Sequence, residues 1–345
     1  MATAVGSSAG QIQKTPFVRE LASSDRKARD KALESLTLFL RARRDLSLLE
    51  LLKVWKGLFY CFYHSDRPLT QQALARALSY SLVPSLPRES RLRFLRAFWI
   101  TIGQEFHALD RLRLDKYLFL IRCYVGVAFE VFLKGKINNK LDSKEQEGKA
   151  DDEDDGNKKR KRKGDSKIAK NGKRRKQDEK QQQQQQQEED ENADEKWAEL
   201  ESYISLLEEG PLCPINFDGS EKPTSEDSIP MPHGPDGLRY HITDIWLDEL
   251  EKVISQYLPE MEQREGKQNG EEEEEGGQKI KDYLDVPIEL LLRPFEKLKT
   301  ESPTKSVRLK VASEVLEDEK LVEWGFREKQ VEDEDEEDEW NGLDD

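Results

Sequence analysis

Cysteine is scarce: the 345 residues contain three, Cys61, Cys123 and Cys213, far apart in sequence. Two of them sit inside apolar patterns of helical spacing, so a reducing compartment is expected and a disulfide framework is not. Long apolar runs are also missing. No stretch approaches about 20 uninterrupted apolar residues, and Met1 to Gly10 is small and polar, so neither a membrane span nor a secretory leader is expected. The four histidines, His64, His107, His233 and His241, form no His-x-x-x-His pair, and no Cys-x-x-Cys occurs, which argues against a zinc site. Gly234-Pro235-Asp236-Gly237 contains a proline and lacks the flanking strand of a phosphate loop, so it reads as a turn feeding a helix. No Gly-x-Ser-x-Gly elbow appears, and the carboxylates lie in solvated runs where nothing raises their pKa for acid or base work. Catalytic residues, cofactors, metals and a small-molecule substrate are therefore not expected.

What is present is charge. Charged residues make up 37% of the chain against 35% hydrophobic, too little apolar surface to fold the whole length into one core. The formal net charge of -15 hides an asymmetry. Residues 11–135 hold 22 Lys/Arg against 12 Asp/Glu, a surplus of 10, which leaves -25 for the remainder. A basic folded block joined to acidic, low-complexity segments suits a ribonucleoprotein or chromatin component better than a metabolic enzyme.

Apolar residues from Phe17 to Lys134 recur at helical spacing and predict five helices. The first runs from about Asp25 to Arg43, with Leu33, Leu36 and Leu40 on one face and Ser23 or Ser24 as its N-cap. Leu48, Leu52, Trp55, Phe59 and Phe62 make a wide stripe, so the second helix is buried on most sides. Ser65-Asp66-Arg67-Pro68 opens the third, Pro84 and Pro87 separate it from the fourth, and Leu114 to Phe132 line the fifth. Short connections between amphipathic helices predict a bundle or an α-solenoid.

The pattern divides the chain into a disordered N-terminus (1–10), a basic helical domain (11–135) and a disordered insertion (136–195) that includes seven successive glutamines, 181–187. A helical continuation (196–258) follows, then an acidic linker (259–278), a short helical segment (279–313) in which Pro294 imposes a break or kink, and a mostly disordered acidic tail (314–345). Two cation clusters lie in the insertion: Lys158, Lys159, Arg160, Lys161, Arg162 and Lys163, then Lys173, Arg174, Arg175 and Lys176. Dense exposed cations in a flexible segment suit the acidic groove of a nuclear import receptor, or phosphates, and the first is the expectation. In the folded block Arg91, Arg93 and Arg96, with Arg111, Arg113 and Lys116, either contact RNA phosphates, or form the solvent face of a solenoid, or make internal ion pairs with Glu89, Glu105, Asp110 and Asp115.

Three stretches carry a family resemblance: Leu51-Leu52-Lys53-Val54-Trp55-Lys56-Gly57-Leu58-Phe59-Tyr60-Cys61, continuing through Ser65-Asp66-Arg67-Pro68-Leu69; Leu109-Asp110-Arg111-Leu112-Arg113-Leu114-Asp115-Lys116-Tyr117; and Gly234 to Leu250, reading GPDGLRYHITDIWLDEL. On these the chain resembles the ribosomal RNA processing protein 1, or nucleolar protein 52, family. The resemblance implies an all-α fold, an α-α superhelix like a HEAT-type helical solenoid, interrupted here by long disordered charged insertions. It further implies a non-catalytic nucleolar assembly factor, working with pre-rRNA and pre-ribosomal particle proteins chiefly toward the large subunit. Charge within the matched stretches makes Lys56, Arg67, Arg111, Arg113, Lys116 and Arg239 the candidate RNA or partner contacts. The competing reading is a chromatin- or transcription-associated adaptor that binds basic proteins through its acidic segments.

Overall fold

Asp25, rather than Ser23 or Ser24, caps the first helix of the computed structural model, α1 (Arg26–Ala42): its carboxylate accepts from Lys27 N at 3.1 Å. A full negative charge meets the positive helix end better than a hydroxyl does, and the Ser23 hydroxyl instead accepts from Asp25 N. The structure describes residues 20, 23, 25–137, 195–215, 229, 231–232, 235–257 and 280–328. Among these it is all-helical, with no strand.

A Ser47–Glu50 capping box starts α2 (Leu48–Tyr63), where Leu48, Trp55, Phe59 and Phe62 are buried as the sequence predicts and Leu52 is half-buried. Its Trp55 ring lies 5.2, 5.0 and 5.3 Å from those of Phe94, Phe98 and Tyr124, which makes it core rather than a base-stacking platform. Pro68 supplies the first turn of α3 (Pro68–Arg76), but the N-cap is Arg67 and no side chain caps the helix. A π-helical turn, Ala77–Ser81, and a 3-10 turn, Val83–Ser85, continue α3. Then come α4 (Arg88–Glu105), with Pro87 as its N-cap, and α5 (Arg111–Phe132), capped by Asp110. The later elements are α6 over 195–209, α7 (Asp236–Ile254), α8 (Ile280–Tyr283), α9 (Ile288–Glu301), α10 (Lys305–Val311) with a second π turn (Ala312–Leu316), and α11 (Glu319–Glu323).

Helix α9 runs on through Pro294, where the sequence predicts a break or kink. Proline inside a helix costs about 3 kcal/mol, and burial of Leu291, Leu292, Phe295 and Leu298 around it offsets that loss. The ordered body also reaches beyond residue 314, where charge alone marks an acidic tail. Val315, Leu321 and Trp324 are buried there, spaced thinly enough among acids that composition conceals them.

Helix α2 packs on α4; α3 and its π turn pack on α5; α5 packs on α7; and α7 packs on α10 and the second π turn. One contiguous core joins residues from both sides of the insertion. Ion pairs cross the same divide. Arg96 grips both oxygens of Glu209, at 2.7 and 2.5 Å, and Glu199 receives Arg88 and Lys136. Arg91 and Arg93 donate to the carbonyls of Leu86 and Leu46. Arg96 thus meets a distant carboxylate, and Arg91 and Arg93 reach backbone carbonyls; of the carboxylates that sequence proximity suggests, Asp110 pairs with Arg113 and Glu105 with Lys56.

Burial works against a charge on Glu199, yet bonds from Lys136 and Arg88 hold its pKa below the usual range. Its folded pKa is depressed, so its contribution is fully present above about pH 4.3 and is lost as pH falls through the lower folded value. His241 behaves likewise in a higher window. Burial lowers its pKa, and its Nε2 lies 2.9 Å from the Leu118 carbonyl, to which it donates. The stability it contributes is complete above about pH 6.5 and declines as pH falls below that. Urea midpoints measured from pH 7.5 to 5.0 should therefore drop, and His241→Gln should flatten that drop. An unchanged profile in the variant would remove His241 as its source.

Candidate functional site

Two of the three motif stretches meet where α2 ends and α5 begins. The chain leaving α2 exposes the carbonyls of Tyr63 and Ser65, which have no further helical turn to receive them. Lys116 fills that role, its Nζ donating to Tyr63 O at 2.7 Å and to Ser65 O at 2.9 Å. Gln71, one turn into α3, donates to the same Ser65 carbonyl at 2.6 Å. Lys116 is thereby 7% exposed, and its burial pushes its pKa down.

Arg113 stands beside it. Its guanidinium lies 4.3 Å from the centre of the Tyr63 ring, its Nε donates to Tyr63 O, and its Nη1 pairs with Asp110 at 2.5 Å. That hydrogen bond holds the Asp110 carboxyl below its ordinary pKa and raises the Arg113 guanidinium. Lys56 pairs with Glu105 at the end of α4 and stands over the Tyr60 ring. Arg67 and Arg111 are different: both are exposed. Around them Leu69 at 82% and Leu112 at 92% exposure project from the starts of α3 and α5.

The third stretch builds α7. Arg239 is 5% exposed; its Nε and Nη2 donate to Cys213 O at 3.1 and 2.9 Å, and Nη1 pairs with Asp236 at 2.8 Å. It ties the turn after α6 to the start of α7. Arg67, Arg111, Arg113 and Lys116 thus share one end of the helical body, Lys56 is engaged with α4, and Arg239 serves a separate turn. Lys158, Lys159, Arg160, Lys161, Arg162, Lys163, Lys173, Arg174, Arg175 and Lys176 lie outside the described residues.

Sequence reasoning passed over the charge centre that fastens α5 to α7. Arg122 donates from Nε to Glu249 at 2.5 Å and from Nη2 to Asp248 at 2.9 Å. Lys252 also donates to Glu249, which is 2% exposed, and Lys320 of α11 bridges Asp248 and Glu251 at 2.8 Å each. An arginine set within an apolar run, LFLIRCYV, was the available signal. Gly126 lies alongside, close to the Tyr80 hydroxyl and Glu249 Oε2. Among the described residues no group of three or more His, Cys, Asp or Glu is placed to hold a metal ion.

This body is matched by a family model described as nucleolar protein, Nop52, over residues 12–146 and 194–344. The chain belongs to the Nop52 family. Both partners of the α5–α7 pairing fall within the Nop52 match, whereas the glutamine run and both cation clusters fall between its two halves. The chain is 40% identical over 126 residues to ribosomal RNA processing protein 1 homolog B of Mus musculus, covering 35% of this chain and 17% of that protein. It is 38% identical over 129 residues to homolog A of Homo sapiens, covering 35% and 28%. With the Dictyostelium discoideum homolog it shares 29% identity over 104 residues, 30% of this chain and 21% of that one. The matched part of the chain thus spans between 17% and 28% of the length of these relatives. The family's description is nucleolar, and no described helix is long and apolar enough to cross a membrane.

Proposed function

We propose that this chain is a non-catalytic nucleolar factor in pre-rRNA processing, a helical scaffold within pre-ribosomal particles that serves chiefly the large (60S) subunit. The observation that carries this reading is the Nop52 match on both sides of the insertion, in a chain whose relatives bear the name ribosomal RNA processing protein 1. In this reading the blocks 11–135 and 196–258, with the segment 279–313, form one α-α superhelix. Its partners are pre-rRNA, pre-ribosomal proteins and a nuclear import receptor that reads the clusters at 158–163 and 173–176. The scaffold holds RNA and protein in place while separate enzymes cut. Depletion should raise pre-rRNA intermediates and lower large-subunit levels; unchanged levels of both would overturn the proposal. Crosslinking that recovered only histones or genomic DNA would favour the chromatin adaptor instead.

Burial narrows the candidate contacts. Phosphate contact in this reading falls to Arg67 and Arg111, since Lys116 and Arg239 are enclosed and already bonded. Alanine at Arg67 and Arg111 together should weaken binding to all RNA sequences alike, and should reduce the log–log salt slope by roughly 1 per lost contact. Binding that ignores salt would reject this mechanism. Deleting 158–176 should send the protein out of the nucleus while leaving its helical circular dichroism and cooperative unfolding intact.

A further inference from the structure

Among the described residues the outer face of α3 is open, with Leu69, Gln72, Ala73 and Arg76 exposed, and it lies between two concavities. One, of about 480 Å³, is lined by Asp30 and Leu33 of α1 and by Leu69, Ala73, Leu74 and Ala77. The other, of about 540 Å³, lies between the π turn, α5 and α7. Its walls include Ala73, Arg76, Tyr80, Phe119, Arg122 and Lys252. Ala73 and Ala77 border both, so the two hollows form one groove astride a low helix edge. From residue 69 to 81 this edge extends about 18 Å at 1.5 Å per residue, the length of three helical turns. The π turn sets Tyr80 and Ser81, which line the second hollow, off the α3 register.

The walls differ in charge. On the α1 side the lining is aliphatic apart from Asp30 and Thr70. On the α5–α7 side three cations, Arg76, Arg122 and Lys252, surround one buried carboxylate, Glu249. Arg122 and Lys252 are paired with carboxylates of α7. Arg76 is exposed and has no carboxylate partner among the described residues; its guanidinium sits 5.8 Å from the Phe119 ring centre. An apolar floor with a cationic rim on one side fits an amphipathic helix that carries acids along one edge. RNA fits less well, because the groove is mainly apolar and Glu249 at its base opposes phosphate.

We infer that the α3 groove docks an acidic amphipathic helix of a partner protein, about three turns long. Its apolar side chains enter the two hollows on either side of Ala73, and its carboxylates meet Arg76. This assignment stands on the groove alone and does not depend on the role in pre-rRNA processing.

The test places a photo-crosslinking benzoylphenylalanine at exposed Ala73 of the full chain in cells and identifies the crosslinked residues by mass spectrometry. The expected product is a protein segment with apolar residues at helical spacing and flanking acids. That segment, made as a synthetic peptide, should bind the purified full chain. Binding should fall at least tenfold with Arg76→Glu or Leu69→Glu, both exposed positions, and a lysine replacing the facing acid in the peptide should restore binding to Arg76→Glu. Thermal unfolding at the parent temperature in both variants would exclude misfolding as the cause. Crosslinks to RNA, to a second copy, to another segment of the same chain or to nothing would overturn the inference. Peptide binding indifferent to both substitutions would overturn it too.

Discussion

Trp246→Ala should cost about 3–5 kcal/mol of folding free energy, read as a lower urea midpoint. The indole is fully buried on α7, with ring centroids 4.8 Å from Phe129 on α5 and 5.0 Å from Phe295 on α9. Three helices meet at this residue, and truncation would leave a void that none can fill without moving the other two. The loss should appear in a single transition, because the core is continuous across the insertion. Separate transitions for the first and second helical blocks would contradict that continuity. Trp246→Phe offers a control. The indole Nε1 is buried and has no acceptor among the described residues, so phenylalanine removes an unsatisfied donor as well as some volume. It should cost well under half as much as alanine.

Gly126→Ala is expected to destabilise the protein by about 1–3 kcal/mol, a large effect for one methyl group. A Cβ there would overlap the Tyr80 hydroxyl oxygen and lie 2.7 Å from Glu249 Oε2. Neither neighbour can yield freely. Tyr80 belongs to the π turn packed on α5, and Glu249 is fixed by Arg122 and Lys252. Any relief would part α5 from α7 or break a buried charge pair. Tyr80→Phe removes the overlapping oxygen but leaves the carboxylate, so the double variant should recover part of the loss. A double-mutant cycle checks this: coupling within error of zero would show that Tyr80 is not the obstacle.

Helix positions were legible because each is written in local chemistry. The stripe of α2, the proline at the start of α3 and the Leu114–Phe132 run are settled by periodicity and proline stereochemistry within about twenty residues. Failures occurred where local signals compete. Asp25 displaces Ser23 and Ser24 as a cap by its charge, the helix does not break at Pro294 because the packing around it carries the proline, and Val315, Leu321 and Trp324 are hidden among acids. The candidate site was legible as a set of cations but not as a set of exposures. Nothing in the local sequence separates Arg111, which faces solvent, from Lys116, which closes the end of α2, although five residues part them.

The sequence by itself determined the helical class, the family resemblance and the division between a basic body and charged low-complexity segments, since these depend on composition, periodicity and ordered motifs. Tertiary structure decided which charges stay available. Arg96 finds Glu209, Arg122 finds Glu249 and Arg293 finds Glu208, each partner at least 85 positions away. The physical reason is that an ion pair depends on distance in space, and for these residues that distance is set by the packing of α4 on α6, α5 on α7 and α6 on α9. The α3 groove has the same origin: its walls belong to α1, α3, α5 and α7, and it exists only once those helices are assembled.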